Sequence, residues 1–100
     1  MEKWCNSRLT VLGRQVRVAR FLKSKRDLRL HARHLELIEN SPGRFVCMFE
    51  TEEAPLEALR GLSRRFPDLI FLLDHESDPE RVKGLAKAHG GQLQHFEVSY

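Results

Sequence analysis

Histidine and cysteine are the residues of this sequence that could hold a transition metal, because imidazole nitrogen and thiolate sulfur are ligands that zinc prefers. His31 and His34 are three residues apart, but no second pair follows at ligand spacing and neither cysteine lies in a C-x-x-C pair. The spacing therefore predicts structural or surface roles, no metal site and two reduced thiols. The residues concerned are His31, His34, His75, His89, His95, Cys5 and Cys47.

Four acids and a histidine gather within seven residues, and such groups could do acid–base work. They are Asp74, His75, Glu76, Asp78 and Glu80. A solvated loop that caps the following segment explains them more simply. The sequence lacks the motifs of a nucleophilic serine, a phosphate loop, a zinc-protease helix and a dinucleotide site. Cys5 could be activated near a basic helix, but its place in a predicted central strand favours burial. We expect no enzyme, no catalytic residue and no cofactor.

The first third of the chain is strongly basic. Residues 1–34 carry ten Lys/Arg against two acids, whereas residues 35–100 carry seven against twelve. The stretch Arg14–Arg33 could bind a nucleic acid or another anion through phosphate contacts. A solvated helix face is the favoured alternative, since the arginines lie largely off the apolar stripe of the predicted helix. The candidate anion contacts are Arg14, Arg17, Arg20, Lys23, Lys25, Arg26 and Arg29.

Composition predicts one globular domain over residues 1–100. The chain is 41% hydrophobic and 31% charged, which is too apolar for a disordered segment and too charged for a membrane protein. No stretch approaches the ~20 apolar residues that cross a bilayer, and the first residues do not resemble a signal peptide. We therefore expect a cytoplasmic location and no membrane partner.

The hydrophobic pattern of the first half predicts a strand, a helix and a hairpin. Cys5, Leu9 and Val11 alternate as in a strand, and apolar residues then recur every three or four positions as in a helix. Residues 27–40 suit either a helix or a strand, and the turn signal at 40–43 favours the strand. The predicted elements are a strand over 5–13, a helix from Arg14 to about Ser24-Lys25, and strands over Leu35–Glu39 and Arg44–Thr51.

The second half predicts a helix, a strand and a C-terminal appendix. Pro55 suits the first turn of a helix and Pro67 ends it. Asp78 and Pro79 resemble a helix cap and a first-turn proline, and Gly90-Gly91 could end that helix. The predicted elements are a helix from Pro55 to Phe66, a strand over Leu69–Asp74, a helix over 79–90 and a strand over Gln92–Tyr100.

This order of elements predicts an α+β fold, a ferredoxin-like βαββαβ two-layer sandwich with an extra C-terminal strand or helix-strand appendix. The face of the strand that carries Phe45 and Phe49 suits the core better than the other face does. This disfavours the stacking of nucleic-acid bases on the two rings. The opposite parity carries four candidate interface residues that water would contact in a monomer, Val46, Met48, Ile70 and Leu72. A sheet-to-sheet homodimer and a cover formed by residues 92–100 explain that face equally well.

Several residues carry a resemblance to a known family. They are Trp4-Cys5, Leu9, Val11, Gly13, Phe49, Thr51, Pro55, Leu62-Ser63, Phe66-Pro67, Leu69 and Phe71. The pattern resembles the uncharacterised ferredoxin-like family of plasmid- and phage-borne proteins typified by YubB. The resemblance implies the same fold and, through Gly84 and Gly91, a β-hairpin over 82–98 in place of a helix and a strand. It implies no catalytic residues.

One function is favoured and two alternatives stay open. We expect a non-catalytic interaction module that self-associates or docks a protein partner through its open sheet face. The first alternative is an electrostatic nucleic-acid-binding protein that uses the basic Arg14–Arg33 region. The second is a small-molecule-sensing regulatory domain, which only the analogy of fold suggests.

Overall fold

The protein consists of strands, along which buried and exposed side chains alternate, and of two amphipathic helices. The structure is a computed structural model that describes residues 4–23 and 32–100. Its elements are β1 (Cys5–Leu12), α1 (Gln15–Lys23), β2 (Arg33–Ser41), β3 (Arg44–Thr51), α2 (Leu56–Arg65), β4 (Ile70–Ser77), β5 (Val82–His89) and β6 (Gln92–Ser99). The strands form one antiparallel sheet in the order β2-β3-β1-β4-β5-β6. The fold is thus α+β, with a six-stranded open sheet and two helices on one face.

The C-terminal appendix differs from its predicted form. The helix predicted over 79–90 is wrong, because Val82–His89 is a strand in which Ala86 and Ala88 are buried in alternation. Gly90 and Gly91 have φ of 59° and 85°, as a two-residue hairpin turn requires. They join β5 to β6, so the hairpin implied over 82–98 is present. With these two strands added beyond β4, the sheet order is not that of a plain ferredoxin-like fold.

The other predicted elements are confirmed with small changes in their bounds. β3 has the bounds predicted for it, and β2 and β4 are longer than predicted, since they end at Ser41 and Ser77. Of the ambiguous segment 27–40, the described part from Arg33 onward is strand. α1 begins at Gln15, and its predicted end at Ser24-Lys25 lies outside the described residues.

The core lies between the two helices and the sheet. Phe21 of α1 is 2% exposed and makes edge-on contacts with three other rings, those of Phe45, Phe66 and Phe71, at centroid distances of 6.4, 5.2 and 5.5 Å. Aromatic pairs in this geometry stabilise a core beyond the area that they bury. Leu59 and Leu62 form the inner stripe of α2. In the described part of the chain no helix is long and apolar enough to cross a membrane.

Candidate functional site

The face of the sheet opposite the helices carries an exposed apolar patch. Its side chains are Met48, Leu85, Phe96 and Val98, which are 39%, 58%, 68% and 48% exposed, and we call them the open-face patch. The strand register places Leu85 directly opposite Phe96 and places Lys83 opposite Val98. A shallow groove between these side chains extends across the sheet as far as Met48. Three of the four side chains therefore adjoin one another at the β5–β6 edge, and Met48 lies at the other end of the groove, beyond Arg8 and Asp74.

Charges of both signs surround the open-face patch. Lys83 Nζ lies 3.2 Å from Glu76 Oε2, and this hydrogen bond with Glu76 raises the pKa of the Lys83 ammonium group. Arg8 of β1 stands opposite Asp74 of β4 in the register, and Lys87 continues the same face of β5. Because cations alternate with carboxylates, this face has no strong excess of either sign.

The four interface residues predicted from sequence differ in exposure. Met48 is exposed, and Ile70 and Leu72 are half-buried. Val46 is only 3% exposed, so the expectation that water contacts it in a monomer is wrong. The register places Val46 between Thr10 of β1 and Glu39 of β2.

The C-terminal segment does not cover the open face. Residues 92–99 form β6, which pairs with β5 at the edge of the sheet. Of the two explanations left open for this face, the cover formed by residues 92–100 is therefore wrong, because β6 widens the face and adds Phe96 and Val98 to it. Phe96 and Val98 alternate in the predicted strand over Gln92–Tyr100, but the helix predicted over 79–90 leaves no strand between it and β4. The sequence prediction therefore missed these two residues and Leu85 as part of the open face.

The basic residues of α1 point away from the sheet. Arg17, Arg20 and Lys23 of α1 are all exposed, as is Arg14 just before it, as the helical pattern predicts. Arg17 Nε lies 3.5 Å from Asp68 Oδ2, so part of the cationic surface is compensated. The remaining candidate anion contacts, Lys25, Arg26 and Arg29, lie outside the described residues.

The acids at 74–80 do not converge on one site. Asp74 and Glu76 face the open side of the sheet, whereas His75 lies on the helix-bearing side and is buried, because side chains alternate along β4. Asp78 accepts a hydrogen bond of 3.1 Å from the hydroxyl of Tyr100. The acids and the histidine that are neighbours in the sequence are therefore divided between the two faces of the sheet.

A different cluster forms on the helix-bearing side, where His75 of β4 meets His95 and Glu97 of β6. The Nε2 atoms of the two histidines are 2.9 Å apart, and His95 Nε2 lies 3.6 Å from Glu97 Oε2. Burial lowers the pKa of the His75 imidazole, and the charge of His95 lowers it further. The sequence prediction missed this cluster, although the i, i+2 spacing of His95 and Glu97 in a predicted strand placed both on one face.

The remaining histidines and the cysteines have separate surroundings. His34 Nδ1 is 2.8 Å from Glu50 Oε1 at the surface, and His89 is exposed at the β5–β6 turn. His31 lies outside the described residues. Cys5 and Cys47 are buried and form no disulfide. Burial raises the pKa of the Cys5 thiol, which disfavours the thiolate form that acts as a nucleophile.

Comparison of the chain with protein-family models, with curated proteins and with solved structures finds no match.

Proposed function

We propose that this protein is a non-catalytic interaction module that forms a homodimer through its open sheet face. The observation that carries the proposal is the open-face patch, whose four large apolar side chains remain in contact with water in the monomer. Leu85, Phe96 and Val98 adjoin one another on β5 and β6, and Met48 lies beyond Arg8 and Asp74 in the same row of the sheet. Exposed apolar surface of this kind marks interaction sites. The segment of the chain that could have covered it, β6, instead supplies two of its members.

The mixture of charges around the patch supports a second copy of the chain as the partner. A two-fold interface places the same surface against itself, so each cation of one copy needs a carboxylate within reach on the other. Arg8, Lys83 and Lys87 supply the cations of this face, and Asp74 and Glu76 supply carboxylates. A nucleic acid would require cations in excess.

The dimensions of the face also suit a dimer. Six strands spaced about 4.8 Å apart, each eight or nine residues long at about 3.3 Å per residue, form a face on the order of 700 Å². A standard protein–protein interface buries about 800 Å² on each partner. A sheet-on-sheet contact over the whole open face would approach that size.

We also infer a ferredoxin-like core within the six-stranded sheet. The order β2-β3-β1-β4 and the positions of α1 after β1 and α2 after β3 support this inference. The β5–β6 hairpin is then an addition at the β4 edge that widens the open face. This arrangement is compatible with the resemblance to the YubB-like family, which stays a hypothesis.

Light scattering coupled to size-exclusion chromatography tests the dimer. We expect twice the 11.7 kDa mass of the chain for the wild type and the single-chain mass for Leu85→Glu and Phe96→Glu. Val16→Glu is the matched control, because Val16 is 70% exposed on α1 and receives the same charge outside the interface; it should remain dimeric. A wild-type monomer would refute the proposal, and so would a dimer that both open-face variants retain while circular dichroism shows them folded.

Anion binding by α1 is a second candidate function, supported by the exposure of Arg14, Arg20 and Lys23 on one outer surface. Fluorescence anisotropy with a labelled DNA duplex should then show binding that weakens steeply with salt. Reversal of Arg14 and Arg20 to Glu should weaken it further, while Arg81→Glu in the turn before β5 should have little effect. Equal binding by the two variants would exclude α1 as the contact.

A further inference from the structure

The cluster of His75, His95 and Glu97 assembles three metal-ligand groups from strands that are not direct neighbours. His75 stands opposite Gly84 of β5, and Gly84 stands opposite Glu97 of β6. His95 precedes Glu97 by two residues and therefore lies on the same face. The sheet register thus brings three side chains of one surface together across β5.

The distances between the donor atoms suit a single ion. Two zinc ligands at about 2.0–2.1 Å from the metal lie about 3.3 Å from each other in a tetrahedral site. Here the two Nε2 atoms are 2.9 Å apart, the Nε2 of His95 is 3.6 Å from the Glu97 oxygen, and one ligand atom from each residue falls within 4.8 Å of the others. Small rotations of the side chains would bring the three donors to coordinating distance.

Gly84 makes room for this arrangement. A Cβ atom built on Gly84 would collide with the His75 imidazole, so the ring can lie over the backbone of β5 only because that position has no side chain. Glycine inside a strand weakens the strand and often marks a close approach of another group. At this position the approaching group is the imidazole that reaches toward β6.

We propose that His75, His95 and Glu97 bind one divalent ion of the zinc class. Two imidazoles and one carboxylate form a ligand set that zinc uses with an open fourth position, and imidazole ligands favour zinc over magnesium. The bound ion joins β4 to the edge strand β6 across β5. The site lies on the helix-bearing side of the sheet, so it is separate from the proposed dimer interface.

Isothermal titration calorimetry of the untagged, chelator-treated full chain with zinc chloride tests this site. We expect one zinc ion per chain, no comparable heat with magnesium chloride, and a rise in the thermal unfolding midpoint when zinc is present. His95→Gln and Glu97→Gln should each weaken zinc binding by at least about tenfold. His89→Gln, which removes an exposed histidine of β5 outside the cluster, should bind like the wild type.

Cobalt substitution provides a readout that does not depend on the stability of the variants. Cobalt bound by nitrogen and oxygen should absorb in the visible range without a thiolate charge-transfer band, whereas a thiolate band would place the ion at Cys5 or Cys47 and overturn the assignment. The absence of one-to-one zinc binding would also overturn it, as would unchanged zinc affinity in both the His95 and the Glu97 variants.

Discussion

The contact between Gly84 and His75 makes glycine necessary at a single position of β5. We expect Gly84→Ala to lower the free energy of unfolding by about 1–3 kcal/mol, because the added methyl group would push against a buried ring in a packed interior. Gly61 is the matched comparison, since a Cβ there meets nothing within 4 Å. Gly61→Ala should raise the free energy of unfolding by up to about 1 kcal/mol, because alanine is the better helix former. Urea denaturation of both variants measures the difference.

The two variants should change the free energy of unfolding in opposite directions, with a decrease in Gly84→Ala and an increase in Gly61→Ala. If Gly84→Ala were as stable as the wild type, the His75 ring would not need the space above β5. The same variant should also bind zinc more weakly, because a displaced His75 can no longer reach the ligands of β6.

Glu50 forms a surface contact with Arg33 and His34 whose contribution to the stability of the fold depends on pH. Its carboxylate accepts hydrogen bonds from Arg33, whose Nη2 lies 3.1 Å from Oε2, and its Oε1 lies 2.8 Å from His34 Nδ1. The contact with His34 and then that with Arg33 lower the pKa of Glu50. A lowered carboxyl pKa stabilises the folded state above the pKa of the unfolded chain, and that contribution is lost as the pH falls through the folded-state pKa.

An NMR titration of the Glu50 carboxyl carbon tests this contact. We expect the midpoint to move upward in His34→Ala, because the largest of the stabilising contacts is removed. An unchanged midpoint in that variant would show that His34 does not hold the carboxylate in solution.

At the scale of elements, the turn between β5 and β6 contains two glycines, and we expect substitution to be tolerated better at Gly90 than at Gly91. Gly90 has φ of 59° and open space around its Cβ position, whereas Gly91 has φ of 85° and a Cβ there would lie 2.7 Å from Arg64 Cγ. We expect Gly90→Asn to change the free energy of unfolding by less than about 0.5 kcal/mol, because Asn-Gly suits this hairpin turn. Gly91→Ala should cost about 1–2 kcal/mol, because a residue with a Cβ is strained at positive φ.

Thermal unfolding of these two variants distinguishes the positions. Equal losses of stability in Gly90→Asn and Gly91→Ala would indicate that the turn has a different backbone geometry.

Local sequence patterns were sufficient for most of the elements. The alternation of Leu9 with Val11, the apolar run over 45–49 and the prolines around α2 each describe one element and need no knowledge of its neighbours. Residues 79–90 misled the prediction because Val82, Leu85 and Ala86 also match a helical period. The small residues Ala86 and Ala88 gave little apolar signal for a strand, and a glycine pair fits both a helix end and a hairpin.

The candidate sites were less predictable than the elements that form them. The charged outer surface of α1 follows from its own periodicity. In contrast, His75 and His95 are twenty residues apart and lie on strands separated by β5. Their contact depends on the register of two successive strand pairs, and a one-residue shift in either pair would move a side chain to the other face.

At the scale of the whole molecule, the two proposed sites lie on opposite sides of one sheet. Adjacent residues of β6 belong to different sites, since His95 belongs to the metal cluster and Phe96 to the open-face patch. We expect His95→Gln to lose zinc binding and remain dimeric, and Phe96→Glu to become monomeric and still bind zinc. Light scattering and calorimetry on both variants measure this separation. Loss of both properties in either folded variant would mean that the sites are coupled.

β1 lies at the centre of the sheet, and we expect it to be the strand that opens least often. β1 pairs with β3 on one side and with β4 on the other, so among the described strands it alone links the β2–β3 pair to the β4–β5–β6 group by backbone hydrogen bonds. Separation of these two groups requires one of the β1 ladders to break, whereas the edge strand β6 can detach with both β1 ladders intact. Amide hydrogen exchange should therefore be slowest in β1 and faster in β6, and equal protection of the two strands would contradict this order of opening.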